Sequence, residues 1–378
     1  MSKFSAGLKE SFLKQYIDKT PPWSAVGYIT FKRTYARLLP ELGRTEEWLE
    51  TCARACNGLI SIGGQFTDAE LEALFDHMFN LRGTVSGRAL WQLGTPTVER
   101  IGADSLQNCW TVVVNNIESF CFTFNQLMLG GGVGFNLHPQ YVYELPTVAF
   151  NPGIDRVSSP DCDFIVPDNR QGWVELLERA LRSFFETGQN VTFNASSIRP
   201  AGQPISSFGG TASGSEGGVR GLEQIVQVLR SRYRQKLRPI DCLDIMNIIG
   251  SIVGAGNVRR SSEIAIGDFN DPDFLLAKNW AKTSVPNWRA MSNNSVDCSS
   301  VDDLPEQFWS GYSGDGEPYG LINLPLCRSH GRLADGENYR PDWSVVGVNP
   351  CAEITLANKE PCNLSEIMMP NIKSVEHF

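Results

Sequence analysis

The run Asn349-Pro350-Cys351-Ala352-Glu353 sets an amide, a thiol and a carboxylate side by side. Pro350 disfavours a helix interior, so the run is expected to be extended. In an extended segment Asn349, Cys351 and Glu353 point to one face. There a carboxylate can act as a general base and an amide can orient a hydroxyl. The thiol can serve as a nucleophile or as a hydrogen-atom donor. The same residues also suit a buried structural cysteine beside a turn, and the run alone leaves both readings open. A second thiol follows in Glu360-Pro361-Cys362-Asn363-Leu364. The residues between read as a strand and a turn at Asn358-Lys359, a hairpin that returns Cys362 towards Cys351. A third thiol, Cys109, opens a predicted strand in Leu106-Gln107-Asn108-Cys109-Trp110. Strand ends that face a sheet or barrel mouth are common catalytic positions.

Two glycine-rich segments are candidates for approaching phosphates. Gly130-Gly131-Gly132-Val133-Gly134-Phe135 follows a predicted helix and lacks a Lys-Ser/Thr continuation, so it is neither a P-loop nor a dinucleotide fingerprint. Gly254-Ala255-Gly256-Asn257-Val258-Arg259-Arg260 places pliant backbone beside two guanidinium groups, which suits an anion or a base. A solvated arginine pair closing a helix fits that segment equally well.

The elements that must position these groups follow from composition and periodicity. The chain has 378 residues, a net charge of −9, 42% hydrophobic and 20% charged residues. That describes a folded globular protein. The acidic balance argues against gripping nucleic acid over a broad face. The longest apolar run, near Leu243 to Ala255, is too short to span a bilayer, and no signal-peptide core is visible. No nucleic-acid or membrane partner is therefore expected, and a cytoplasmic, reducing location is. Ten cysteines include no CxxC pair, and the four histidines are scattered. Neither Cys52/Cys56 nor Cys327/His330 makes a four-ligand site, so no structural metal is expected.

Residues 1–95 read as mainly helical, with apolar positions at helical spacing around Phe12–Ile17, Trp48–Ala53 and Leu71–Met78. Thr67 and Glu70 form a capping-box pattern. Residues 96–378 alternate short strands and helices. Trp110–Val114 and Ile264–Ile266 read as strands, and Ile117–Leu129, Trp173–Glu186, Leu222–Arg234 and Asp244–Val253 as helices. That alternation predicts an α/β fold of parallel βα units.

Together, LQNCW, GGGVGF, SSIRPAG followed by FGGTASG, GNVRRSSEIAIG, SNNSV and NPCAEITLANKEPCNL resemble, in this order, the ribonucleotide reductases. The likeness is greatest to the monomeric, adenosylcobalamin-dependent (class II) ribonucleoside-triphosphate reductases, and it covers nearly the whole chain. The resemblance implies the first part of a ten-stranded α/β barrel, with the radical cysteine on a finger loop inside. It implies Cys351 as the thiyl position, Glu353 as the base for the ribose 3′-OH and Asn349 as the amide on the ribose hydroxyls. Cys109 and Cys362 would be the redox pair, ending as a disulfide. Thr95 and Arg259 would contact substrate. Gly256, Asn257, Arg259 and Arg260 would form the loop between substrate and a dNTP effector, and Gly130–Gly134 the loop after the effector-site helix. Adenosylcobalamin would be the cofactor, a ribonucleoside triphosphate the substrate and a thioredoxin-type protein the reductant. In monomeric members the region matching Pro146 to Arg238 carries an insertion in place of a dimer interface; the sequence leaves open whether it does so here. Members of the class continue for hundreds of residues past the position of Phe378, which implies either one half of a split enzyme, with a second polypeptide carrying the other half of the barrel as the expected partner, or a truncated or interrupted reading frame. A non-catalytic, nucleotide-binding or defunct fragment of a split reductase is the competing reading. A glycyl-radical enzyme is a third, without a glycine-radical loop to support it.

Overall fold

The computed structural model describes residues 4–203, 211–255, 262–281, 284–312, 318–330 and 341–375. The chain divides into two units, one formed by Met1–Asn108 with Asn363–Phe378, the other by Cys109–Cys362. The division differs from the expected boundary near residue 95. The segment Gly83–Val85 pairs antiparallel with Ser365–Ile367, which gathers the chain's last stretch into the N-terminal unit.

The N-terminal unit is built on helices α1 (Ala25–Thr34), α2 (Trp48–Ser61) and α3 (Asp68–Phe79). The predicted Thr67–Glu70 capping box closes α3: the Glu70 amide donates to Thr67 Oγ1, and Glu70 Oε2 accepts the Thr67 amide at 2.8 Å. Cys52, Cys56, Leu71, Phe75 and Met78 share its core at 0% exposure, as the helical spacing predicted.

The α/β unit begins with β1 (Cys109–Val113), α4 (Ile117–Met128) and β2 (Gly132–Asn136). It continues through α5 (Arg170–Arg182), α6 (Glu216–Ser231) and α7 (Pro239–Gly254). Then come β3 (Glu263–Asp268), β4 (Ser292–Asp297), β5 (Gly320–Ile322) and α8 (Leu324–His330). It ends with β6 (Val345–Val348), β7 (Thr355–Ala357) and β8 (Pro361–Cys362). One sheet of six strands runs in the order β5-β4-β3-β2-β1-β8. Neighbours from β1 to β5 are parallel; β8 is antiparallel to β1. The predicted parallel βα units are present.

Side chains alternate across β3. Ala265 packs into the helix-side core, while Ile264 and Ile266 join Val345 and Val348 on the other face. Helices α5 and α6 pack against α4 and α7, burying Leu176, Leu177, Leu222, Ile225 and Leu229. Gly218 and Gly221 let α6 approach: a Cβ would sit 2.5 Å from Trp173 or strike Ile252. Between α4 and α6, Ile154–Arg156, Val191–Asn194 and Phe164–Ile165 form a separate parallel sheet.

Candidate active site

Strands β6 and β7 form an antiparallel hairpin that lies on the open face of β1 and β2, with Cys351 at its tip. The glycines of GGGVGF explain how it fits. Gly132 and Gly134 belong to strand β2, which corrects the reading of Gly130–Gly134 as a loop near phosphates; only Gly130 and Gly131 form the turn after α4. Gly132 and Gly134 point to one face. A Cβ on Gly132 would lie 2.7 Å from Pro350 Cγ, and one on Gly134 would collide with the Val348 carbonyl. Hydrogen at these two positions opens a channel for the hairpin.

Asn349–Glu353 is a turn and not the extended segment expected. The Ala352 amide donates to Asn349 O at 2.8 Å, and Ala352 takes φ 65°. Pro350 occupies the second turn position, where its fixed φ is favourable. The turn still brings the predicted groups together, by curling. Asn349, 1% exposed, donates from Nδ2 to Glu353 Oε1 at 2.8 Å and lies 3.8 Å from Cys362 Sγ. Its Oδ1 accepts the Ile354 amide at 3.1 Å. Cys351 is exposed.

Cys362 and Cys109 are direct cross-strand partners on β8 and β1. Antiparallel partners have Cα atoms about 4.5–5.5 Å apart, within the span a disulfide bridges. The Cys109 thiol donates to the Cys362 sulfur, which holds Cys362 below the usual thiol range despite burial. The same hydrogen bond, together with burial, pushes Cys109 up. Cys351, although exposed, loses part of its hydration to its neighbours, which pushes it up as well, reinforced by Glu353 and Cys362. The three thiols of the site therefore hold their protons unequally, Cys362 least tightly. All ten cysteines are free.

The structure thus brings together Cys109, Asn349, Cys351, Glu353 and Cys362. Thr95 lies in the N-terminal unit, buried, its hydroxyl donating to Gln92 O at 2.7 Å at the start of the short helix Pro96–Ile101. Gly256, Asn257, Arg259 and Arg260 lie outside the described residues, as does the first part of the FGGTASG loop. Sequence reasoning missed the residues that hold the hairpin, notably Thr111 and Asn136. The alternation of Gly132 and Gly134 was the available signal, since glycines two apart mark a strand face that another backbone approaches.

By fold and by sequence the chain is similar to the ribonucleotide reductases. Residues 8–95 match the ribonucleotide reductase alpha domain, and residues 155–229 match the insertion domain of B12-dependent ribonucleotide reductase. Within the family its likeness is to the B12-dependent, class II members. It is 36% identical to the adenosylcobalamin-dependent ribonucleoside-triphosphate reductase of Lactobacillus gasseri, over 97% of this chain and 58% of that protein. It is 37% identical to the same enzyme of Levilactobacillus brevis, over 92% and 55%. The crystal structure of a B12-dependent class II ribonucleotide reductase superposes with a TM-score of 0.85 at 32% identity, covering 97% of this chain and 59% of that one. The chain thus spans a little over half the length of these relatives. Among the described residues no helix is long and apolar enough to cross a membrane.

Proposed function

We propose that the chain is the thiol-bearing catalytic part of a ribonucleotide reductase that converts ribonucleoside triphosphates to 2′-deoxyribonucleotides. One observation carries this reading: Cys351, at the tip of a buried-root hairpin, stands with Asn349 and Glu353 beside a cross-strand Cys109/Cys362 pair. The reaction needs those three functions. Cys351 in thiyl form takes the hydrogen atom from ribose C3′ and later returns it. Glu353 accepts the 3′-OH proton, and Asn349 orients the ribose hydroxyls. The C2′–O bond breaks, and the hydroxyl leaves as water with a proton from a thiol. Cys109, the donor in the hydrogen bond to Cys362, suits that donor role. Cys362, the more acidic partner, suits formation of the S–S bond. Two electrons pass from the thiol pair to the sugar, so substrate and two thiols become deoxynucleotide, disulfide and water.

The donor set fits adenosylcobalamin: Cys351 is exposed enough to be reached and retains a hydrogen to surrender. When bound, the cofactor supplies the radical equivalent that makes Cys351 a thiyl. A thioredoxin-type dithiol would reset the pair. The remaining reading follows the resemblance: a dNTP effector acting through Gly256, Asn257, Arg259 and Arg260, substrate contacts at Thr95 and Arg259, a ten-stranded barrel of which this chain forms a part, and a cytoplasmic setting.

The test is an anaerobic assay of CTP reduction with adenosylcobalamin and a dithiol, on the native chain recovered together with its bound polypeptides. Deoxycytidine triphosphate formation establishes the reading. Deoxynucleotide binding with no reduction in any assembly leaves a regulatory fragment instead.

A further inference from the structure

Strand β6 leads to Cys351, and its backbone carbonyls are held in an unusual way. Among the described residues its strand partner is β7 alone, because it crosses the face of β1 and β2 and does not extend the sheet. The carbonyls turned away from β7 need other donors. Side chains from three elements supply them. Arg328 Nε of α8 donates to Val345 O at 2.7 Å. Asn136 Nδ2, at the end of β2, donates to Val346 O at 2.7 Å. Thr111 Oγ1 of β1 donates to Val348 O at 2.8 Å.

Thr111 is 1% exposed and Asn136 2%, so water is no substitute for them. The orientation of Asn136 is fixed, since its Oδ1 accepts the His138 amide at 2.9 Å. Thr111 grips both sides of the hairpin. Its hydroxyl holds β6, and its backbone carbonyl accepts the Lys359 amide at 2.8 Å beyond β7. Gly134 lies against the same Val348 carbonyl with no room for a Cβ. That carbonyl is therefore confined between a donor on one strand and a bare backbone on the next, close before Cys351 in the chain.

The geometry points to Thr111, supported by Asn136 and Arg328, as a positioning residue that sets where Cys351 stands over the Cys109/Cys362 pair. The inference rests on the reading of Cys351 as the hydrogen-atom carrier. Thr111 itself is not assigned any contact with substrate. A reacting atom misplaced by about 1 Å can lose about a hundredfold in rate.

The test compares Thr111→Val, which keeps the shape and removes the donor, with Thr111→Ser, which keeps the donor. Both are made in the full chain. For Thr111→Val, amide hydrogen exchange at residues 345–349 rises about tenfold or more, while β3 and β4 exchange as before. The alkylation midpoint of Cys351 falls towards the ordinary thiol value. In the active assembly kcat falls about 10- to 100-fold with KM within about twofold. Thr111→Ser recovers most of each change. Arg328→Met, at the hairpin's half-buried root, gives a smaller shift in the same direction and serves if Thr111→Val fails to fold. Unchanged hairpin exchange and an unchanged Cys351 profile in Thr111→Val overturn the proposal. So does faster exchange spread equally through β3 and β4, or a Thr111→Ser variant no better than Thr111→Val. A hairpin that responds as expected in a chain that reduces nothing in any assembly overturns the functional reading instead.

Discussion

Cys362 accepts a hydrogen bond from Cys109, whereas Cys351 faces lost hydration and a carboxylate, so three thiols within one site hold their protons unequally. The ordinary thiol midpoint is about 8.5. Alkylation followed against pH at each cysteine should give the lowest midpoint for Cys362 and one above the ordinary value for Cys351. The part of the Cys351 shift due to Glu353 is testable. A negative neighbour opposes the thiolate, so Glu353→Gln should lower the Cys351 midpoint and speed its alkylation near pH 8. Lost hydration is the larger cause, so the midpoint should stop short of the ordinary value. An unmoved midpoint would separate Glu353 from Cys351 and weaken its assignment as the base. Cys351→Ala should abolish reduction while leaving deoxynucleotide binding intact, as measured by equilibrium dialysis. Persistent deoxynucleotide formation by that variant would remove Cys351 from the radical role.

At the scale of elements, strand β3 carries a carboxyl where the sheet meets α7. Glu263 is 2% exposed and lies beside Asn247, and burial pushes its pKa well above the usual carboxyl range. Folded chain then holds a proton that unfolded chain releases near pH 4.3. The sign follows: stability is lost as pH rises from that value towards the raised folded one. Glu263→Gln should therefore match wild type near pH 4 and exceed it increasingly towards pH 8, in urea midpoints taken across that range. A gap that stays constant with pH would show that Glu263 is not the titrating group. The same elements show what periodicity can and cannot reveal. Helix α4 was legible because Asn116 caps it and apolar positions recur along one side. Strand β2 was not, because glycines carry no strand propensity; its neighbours β1 and β3 make it a strand. The side chains of NPCAE gather as their spacing predicts, but on a bent and not a straight backbone. Pro350 and the left-handed Ala352 bend it, and only the hydrogen bond from Ala352 to Asn349 reveals that. The insertion's part in packing and the hairpin's anchors depend on contacts distant in sequence, which no local pattern encodes. Gly134→Ala is the sharpest check on the packing of β2. The added methyl should force the hairpin off the sheet and cost about 1–3 kcal/mol in urea unfolding. A neutral substitution would contradict the close approach.

For the molecule as a whole, the redox pair has a position that no single element explains. Cys109 is the first residue of the α/β unit and Cys362 the last. The pairing of β8 with β1 is thus also the closure of that unit on itself. A disulfide there would join the ends of a very long loop, and loops of about 100 residues or more gain about 4–5 kcal/mol from closure. Such a pair can form efficiently only after the sheet has folded, because an unfolded chain brings these ends together rarely. Mild oxidation of the native chain should therefore yield the Cys109–Cys362 disulfide as the main product, mapped by mass spectrometry, with Cys351 left as a thiol. Oxidation in concentrated urea should scatter the pairing among the ten cysteines. The native product should raise the urea midpoint of the α/β unit and leave that of the N-terminal helices unchanged. Cys362→Ser should remove that gain, and in the active assembly it should end multiple turnover. A native product that joins Cys351 to either partner would put the hairpin tip in a different place. Cys109 and Cys362 would then not be each other's partner, and the assignment of that pair as the source of the electrons would fall.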